Sequence, residues 1–412
     1  MGKKELKLLK ELFSAVIKKF TGETSSTIAS GYDAKKQAHE SRIKNSRFLN
    51  AIKNCSESIA LEILEGGGVF LEEKDIFGEA TLLLVAIRKH KFILAKRLVE
   101  MGANIHAHTT NYENALTLSI KAENEDLAMY LLEKGLPIRT EFLPDSGTPL
   151  QSAANLGLAR VVAELIRRGA DVNDTRGRGF DTISCATGPQ GSVEVIELLL
   201  ANGADVNSRD NGCGHTPLMR AASHGRLDMV EFLLANGADP EFQENDLEHD
   251  EYGINALMFA AKIGNIDIIK RILDTGVSLE IATGTINEKS RFVGRPVMMN
   301  SIRDEMSPEV ASIDARLVSA YFGKTALWFA VENNRIEAAR YLIQCGADTQ
   351  IRDQTGDTLL APAVKKKWLE MVKLLVPLCP SFHAQNNYGY SIYDYAEKNC
   401  PEIYKYFQSL ED

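Results

Sequence analysis

The sequence contains no Cys-x-x-Cys pair, and its six cysteines are spread over 412 residues. The missing Cys-x-x-Cys pairs argue against a zinc ribbon, and the wide spacing argues against a disulfide framework and favours a reducing compartment. No run of about 18 apolar residues occurs, so no membrane-spanning helix is expected. The first twenty residues lack an uninterrupted apolar core, so no secretory signal is expected either.

An excess of basic residues is also lacking. Lys and Arg number 47 against 56 Asp and Glu, which gives a net charge of −9 and no reason to expect nucleic acid as a partner. Hydrophobic residues make up 44% of the chain and charged residues 25%, which is typical of globular proteins. Because the length exceeds one ordinary core, several domains or one extended array are expected.

Two segments, 148–171 and 216–239, share one layout. Each opens with Thr-Pro-Leu, has a glycine nine residues after the threonine, and closes with Gly-Ala-Asp. Threonine caps a short first helix, and proline at its first turn loses no hydrogen bond. The middle glycine permits a tight turn into a second, amphipathic helix, which the closing glycine ends in a left-handed conformation. A helix–turn–helix unit followed by a hairpin loop is therefore predicted.

These segments resemble ankyrin repeats, whose signature is T-P-L-H-x-A with a period of about 33 residues. The closing glycine recurs at Gly67, Gly102, Gly135, Gly169, Gly203, Gly237, Gly276 and Gly346. The opening residues are Ser46, Thr81, Asn114, Thr148, Thr182, Thr216, Asn255, Thr325, Thr358 and Ser391. The resemblance implies an all-α solenoid of about ten stacked units with hairpin finger loops. It also implies that the first, inner helices and the fingers line a concave groove that holds another protein.

The chain departs from the family pattern in two ways. The signature histidine, which links repeats by hydrogen bonds, is replaced in seven units by Leu84, Thr117, Gln151, Met219, Met258, Trp328 and Ala361. Apolar packing is therefore expected to replace most of the polar links between repeats. The unit at Thr182 carries one extra residue around 188–190, which leaves its register open by one residue.

Four segments are predicted. Residues 1–44 form a basic amphipathic helix, over residues 3–20, and a linker; 45–280 form about seven repeats, the first a cap; 281–322 form an insertion with a short helix; and 323–412 form further repeats and a C-terminal cap. Two interpretations of the first helix stay open: it caps the array, or it binds an anionic membrane surface or a partner. The insertion either supplies a binding surface or only pads the solenoid.

The pairs of residues before the turn between the two helices are expected to point into the groove. Six of their residues are basic and only one is acidic, although the whole chain is acidic. A groove that opposes the net charge predicts a partner with an acidic segment; an ordinary solvated surface is the alternative. The candidate groove residues are Arg88, Lys89, Lys121, Asn155, His224, Lys262, Glu332, Asn333, Lys365 and Lys366.

Further contacts are predicted outside the groove. An acidic finger around residues 241–251 and the insertion supply the candidates Glu244, Asp246, Glu248, Tyr252, Phe292 and Arg295. A solvated loop is the alternative for the acidic finger. Asn173 and Asn207 stand in a pattern that resembles the one read by the asparaginyl hydroxylase of ankyrin repeats. The simpler interpretation is that these two side chains stabilise their turns.

No catalytic residue, metal or cofactor is expected. Cys213 lies near His215, but both fall in a finger, and the recurring glycines follow the repeat rather than a phosphate-binding loop. The sequence thus predicts a cytoplasmic, monomeric, non-enzymatic scaffold or adaptor for a partner protein. The alternatives are a secreted bacterial effector acting in a host cytoplasm, a membrane-recruited scaffold and, less favoured, an enzyme with a composite site at the insertion. Neither the partner nor the source organism is identified.

Overall fold

The computed structural model describes residues 43–72, 74, 80–139, 147–175, 180–210, 214–244, 253–283, 323–353, 355–379 and 382–411. The predicted helix over 3–20 and the predicted helix of the insertion lie outside these ranges. Within them the secondary structure is helical, with isolated antiparallel bridges at the fingers in place of strands, which confirms the all-α class. None of the helices in these ranges is both long and apolar enough to cross a bilayer.

The described residues fall into two compact units, Met1–Pro137 and Ile138–Asp412. In the first unit, α3 (Leu82–Arg88) packs against α5 (Ala115–Lys121) in one layer. In a second layer, α2 (Glu57–Glu65) packs against α4 (Phe92–Glu100). The helix α3 has the sequence LLLVAIR, and its first six residues are buried because it is enclosed by neighbouring helices. The helices of this unit are α1 43–54, α2 Glu57–Glu65, α3 Leu82–Arg88, α4 Phe92–Glu100, α5 Ala115–Lys121 and α6 Glu125–Glu133.

The second unit repeats the same two-layer arrangement. The first helix of each repeat packs against the first helix of the next, and the second helices pack together likewise. The first helices are α7 Pro149–Asn155, α9 Thr182–Ala186, α11 Pro217–Ser223, α13 Ala256–Ile263, α15 Ala326–Glu332, α17 Leu360–Lys365 and α19 Ile392–Asn399. The second helices are α8 Ala159–Arg167, α10 Val193–Ala201, α12 Leu227–Ala235, α14 Ile266–Leu273, α16 Ile336–Gln344, α18 Leu369–Leu375 and α20 Pro401–Glu411.

The predicted opening residues begin most of the first helices. Seven of them are confirmed as N-caps, namely Thr81, Asn114, Thr148, Thr216, Asn255, Thr325 and Ser391. Two predictions were wrong: Ser46 lies inside α1, and Leu359 rather than Thr358 precedes α17. At Thr182, where the register was open by one residue, the cap of α9 is Asp181. At α9 the reason is chemical, because the Asp181 carboxylate accepts a hydrogen bond of 2.8 Å from the Ser184 N–H.

A left-handed residue ends seven of the first helices in these two units. In α3, for example, His90 N–H donates to Ile87 O at 2.9 Å and Lys91 N–H donates to Ala86 O at 2.9 Å, the pattern of a Schellman motif. Glycine occupies this position after α7, α11 and α13. After the other four first helices the φ angles are 55°, 54°, 55° and 63° at His90, Glu123, Asn334 and Lys367. Those four residues hold a conformation that costs roughly 1–2 kcal/mol for a residue with a Cβ atom.

The two long fingers leave the second unit through closed necks. At the insertion, Thr283 N–H donates to Lys324 O at 3.0 Å and Gly323 N–H donates to Thr283 O at 2.9 Å. At the acidic finger, Glu244 N–H donates to Ile254 O at 2.8 Å. The helix α13 packs directly against α15, so the stack of first helices continues across the insertion. Neither 245–252 nor 284–322 therefore interrupts the stack of first helices.

Candidate interaction surface

A charged pair joins a finger to the end of its own first helix in three repeats. The finger residue just before the first-helix opening lies beside the residue eight positions later. The Nζ of Lys121 lies 2.5 Å from the Oε1 of Glu113, and the Nζ of Lys324 lies 3.0 Å from the Oε1 of Glu332. Lys365 forms the same pair with Asp357. The pairs fix the fingers against the inner helices, where the candidate groove residues lie.

Glu113 is held by two cations. The Nη2 of Arg88 lies 3.0 Å from its Oε2, opposite the contact from Lys121. Burial of Glu113 alone would raise its pKa, but hydrogen bonds and charge attraction from Lys121 and Arg88 outweigh burial and hold the pKa below its ordinary value. The carboxylate therefore stays ionised at neutral pH and neutralises part of the basic inner face of the first unit.

The other predicted basic groove residues differ in how exposed their charges are. Lys366 donates to the backbone oxygen of Glu332 at 2.8 Å, and its Nζ lies 5.0 Å from the centre of the Trp368 ring. Lys89 is exposed at the end of α3, whereas Lys262 is half-buried and its carbonyl accepts from Arg335 Nε at 3.1 Å. Lys366 thus has no carboxylate partner among the residues that the structure describes.

The polar groove candidates bond mainly to their own helices. The Nδ1 of His224 donates to Arg220 O at 2.8 Å, and the Nδ2 of Asn333 donates to Phe329 O at 2.9 Å. Asn155 is exposed at the end of α7. All three lie at the ends of first helices, as the spacing predicted.

The structure places Glu244 inside the second unit rather than on an exposed finger. Its exposed fraction is 1%, and its Oε2 lies 3.4 Å from the Nε2 of His215. The closed neck of the acidic finger buries this residue because both its backbone groups pair across the finger. The remaining finger and insertion candidates, Asp246, Glu248, Tyr252, Phe292 and Arg295, lie outside the described residues.

A buried polar group beside this neck was not foreseen from the sequence. Asp210 is 3% exposed, and its Oδ2 lies 3.8 Å from the Nη1 of Arg220. The Arg220 guanidinium also stacks on the Phe180 ring at 4.5 Å and donates to Ser184 O at 3.2 Å. These contacts join Arg220 to the finger before its own helix and to the preceding repeat, although no motif links Asp210 and Arg220.

Gln151 also corrects the expectation that apolar packing replaces the signature histidine. Its Nε2 donates to Asp174 O at 2.7 Å and to Phe180 O at 2.8 Å, while its Oε1 accepts from the Thr148 N–H at 2.8 Å. One amide side chain therefore caps its own helix and binds the next finger. At the same position of another repeat Trp328 is 2% exposed and belongs to the core.

The two asparagines of the hydroxylase-like pattern both bridge consecutive repeats. The Nδ2 of Asn173 donates to Gly203 O and the Nδ2 of Asn207 donates to Gly237 O, each at 3.1 Å. Each backbone N–H donates to the aspartate two residues earlier, at 3.0 Å for Asn173 and 2.9 Å for Asn207. These bonds supply the turn-stabilising role that the simpler interpretation assigns to both side chains.

Paired helices stacked in two layers, with fingers fastened to the first helices, define a helical repeat protein of the kind that presents an extended surface. Comparison with known families agrees. The family model described as ankyrin repeats matches three times, at residues 82–176, 182–283 and 327–411. The chain therefore belongs to the ankyrin-repeat family. Members of this family generally serve as protein–protein interaction modules and are typically not enzymes.

The relatives share the repeats and not the whole protein. A putative ankyrin repeat protein of fowlpox virus is 31% identical over 118 residues, which cover 29% of this chain and 19% of the viral protein. A putative ankyrin repeat-containing protein of Treponema pallidum is 29% identical over 139 residues, or 32% of this chain and 44% of that protein. The BRCA1-associated RING domain protein 1 of Caenorhabditis elegans is 30% identical over 122 residues, or 29% of this chain and 17% of that protein. The chain thus spans less than half the length of each.

Proposed function

We propose that the chain is an intracellular, monomeric scaffold that binds a partner protein through its inner-helix ends, its fingers and the 281–322 insertion. The observation that carries the proposal is the closed neck between Thr283 and Lys324. Its two backbone hydrogen bonds bring the two ends of 284–322 together, while the neighbouring first helices stay packed. Long loops carried by a rigid scaffold are where binding residues concentrate. The relatives come from a virus, a bacterium and an animal, so they favour no particular source organism.

Two deletions test the proposal. In the first, residues 284–322 are replaced by Asn-Gly, a turn suited to a tight hairpin. In the second, the acidic finger 245–252 is replaced in the same way between Glu244 and Gly253. Both retain the paired necks, so circular dichroism should show the helical content of the parent, less, in the first variant, the contribution of the short helix predicted in 281–322. Affinity capture and mass spectrometry should then find a protein that binds the full chain and is lost from the first variant.

The second deletion is the matched control, because it removes a finger at an equivalent point of the repeat. Loss of the same protein from both variants would assign binding to fingers in general. Retention of that protein by both variants would contradict a role for the insertion. If no protein is enriched over a resin carrying an unrelated ankyrin array, the proposed scaffold function itself is refuted.

A further inference from the structure

Three consecutive lysines end α17 in the second unit. Lys365, Lys366 and Lys367 are all exposed. Lys365 is paired with Asp357, but Lys366 contacts only a backbone oxygen and the Trp368 ring. The Lys367 side chain forms no hydrogen bond or ion pair in the part of the chain that the structure describes. Two positive charges therefore stand uncompensated on a chain whose net charge is −9.

The conformation of Lys367 carries a cost. Its φ angle of 63° is the left-handed geometry of a Schellman motif, and glycine holds the equivalent position at Gly225 and Gly264. A side chain that is held in a strained conformation on an exposed surface points to a use for that side chain. The Lys367 side chain forms no hydrogen bond or ion pair with the described residues; its charge acts only at a distance on the Cys400 thiol, whose pKa is raised by burial.

Two exposed tyrosines lie on the finger after α18, and this finger contacts the carboxylate partner of Lys365. Tyr388 is 71% exposed and Tyr390 is 67% exposed, the two most exposed large hydrophobic residues among those described. Their backbone N–H groups both donate to the Oδ1 of Asn386, at 3.0 Å and 3.1 Å. The Nδ2 of Asn386 donates to Asp357 at 2.9 Å, and Asp357 is the carboxylate that holds Lys365. One carboxylate therefore joins the tyrosine finger to the lysine run.

The finger is also held in place by its neighbour. Asn387 N–H donates to Thr355 O at 2.8 Å, and the Nη1 of Arg352 donates both to Gly356 O at 2.8 Å and to Gln385 O at 3.3 Å. The tyrosines therefore stand on a backbone that is already fixed. Exposed aromatic residues on a fixed backbone lose little entropy on binding, and tyrosine is enriched among residues that dominate interface energies.

We propose that Lys365, Lys366, Lys367, Tyr388 and Tyr390 form a docking surface for a segment of the partner protein in which carboxylates flank an apolar or aromatic side chain. We call it the lysine–tyrosine surface. The lysines meet the carboxylates, and the tyrosine rings pack on the apolar group. This inference rests on the proposed function, since it names the chemistry of the partner that the scaffold binds.

Peptide selection on the full chain tests the partner's chemistry. A display library of random peptides should yield binders that carry Asp or Glu next to Phe, Trp or Leu. Binding of these peptides, measured by fluorescence anisotropy, should weaken about tenfold or more in Lys366→Glu/Lys367→Glu, because each exposed charge pair is lost and replaced by repulsion. The variant Tyr388→Ala/Tyr390→Ala should lose a similar factor.

The matched control, Lys373→Glu/Lys405→Glu, makes the same change of charge on the exposed faces of the second helices α18 and α20 and should bind like the parent. The variant Lys367→Gly separates folding from binding, since it should unfold at a higher midpoint yet bind more weakly. Selected peptides without acidic residues, or equal binding to parent and Lys366→Glu/Lys367→Glu, would overturn the inference. Binding to vesicles of anionic phospholipid through these residues, or dimer formation through them, would overturn it also.

Failure of this inference is distinct from failure of the scaffold function. If a captured protein is lost on deletion of 284–322 but binds normally to Lys366→Glu/Lys367→Glu, the scaffold function stands and the lysine–tyrosine surface is excluded from it. If nothing is captured at all, the scaffold function fails first.

Discussion

Replacing a left-handed lysine by glycine should stabilise the second unit. In Lys367→Gly the φ angle of 63° stays as it is, but the steric cost of roughly 1–2 kcal/mol for a residue with a Cβ atom disappears. Glycine adds about 0.5–1 kcal/mol of backbone entropy to the unfolded chain, which opposes the gain. The difference leaves an expected stabilisation of about 0.5–1 kcal/mol. Asn334→Gly should gain less, because asparagine tolerates the left-handed region better than lysine does.

The assay is amide hydrogen exchange followed by mass spectrometry. It reports the opening free energy of each helix rather than of the whole chain. In Lys367→Gly the exchange rates of α15, α17 and α18 should fall roughly two- to five-fold, which is the expected free energy expressed as a rate ratio. A urea titration should show a higher midpoint with an unchanged slope. The first unit, Met1–Pro137, supplies an internal reference.

Gly225→Ala, the opposite kind of substitution at an equivalent position, is the control. The added Cβ would lie 3.5 Å from the Cδ1 of Ile263, an ordinary contact, so the backbone at φ 72° is the main source of cost. This variant should be less stable by about 1 kcal/mol. Gly157→Ala would not serve, because its Cβ would lie 2.6 Å from Gln190 O. A neutral or destabilising Lys367→Gly would refute the reasoning, since the lysine side chain would then contribute to folding more than its backbone costs.

Three further outcomes are expected. Replacing both Arg88 and Lys121 by Met should raise the pKa of Glu113 above its ordinary value in an NMR titration, because burial then acts alone. In the parent the pKa is lowered, so the stability due to Glu113 should fall as the pH drops through the acid range. A free energy of unfolding that does not change over this pH range would contradict the assignment. Gln151→Leu should lower the free energy of unfolding, measured in urea, by about 2 kcal/mol, because it removes three hydrogen bonds and leaves carbonyls unpaired. A loss below about 0.5 kcal/mol would show that solvent replaces these hydrogen bonds. Replacement of 284–322 by Asn-Gly should change the midpoint of the second unit little, and unfolding of the unit would mean that the segment is part of its core.

The repeat itself was predictable because its signals are local. A cap, a proline at the first turn, a glycine between two helices and a glycine at the end each act within a few residues, and their spacing recurs. The openings that differ from the predicted ones have local reasons as well. Asp181 competes with Thr182 as a cap, and aspartate bonds the N–H three residues on. At Ser46 the cap residue type occurs inside a helix that continues past it.

The arrangement of charge on the inner face was less predictable. The six basic residues are visible in the sequence, but the pairing of Arg88, Lys121 and Lys365 with Glu113 and Asp357 was not predicted. A signal was present, because each of these pairs is separated by eight residues, from just before the first-helix opening to the end of the helix. The burial of Glu244 and of Asp210 depends on contacts between repeats, which no spacing within one repeat encodes.

The paired necks of the two long fingers allow the finger sequences to change without disturbing the packing of the helices. A loop that leaves and returns through one backbone-paired neck costs closure entropy, which rises by only about 0.6 kcal/mol for each doubling of its length. Residues inside such a loop can be gained, lost or exchanged while the helices beneath it stay packed. If 284–322 binds the partner as proposed, changes there are exposed to selection for recognition and largely hidden from selection for stability. The packed helices of the array thus set the fold, and the residues of its longest finger can change without changing that fold.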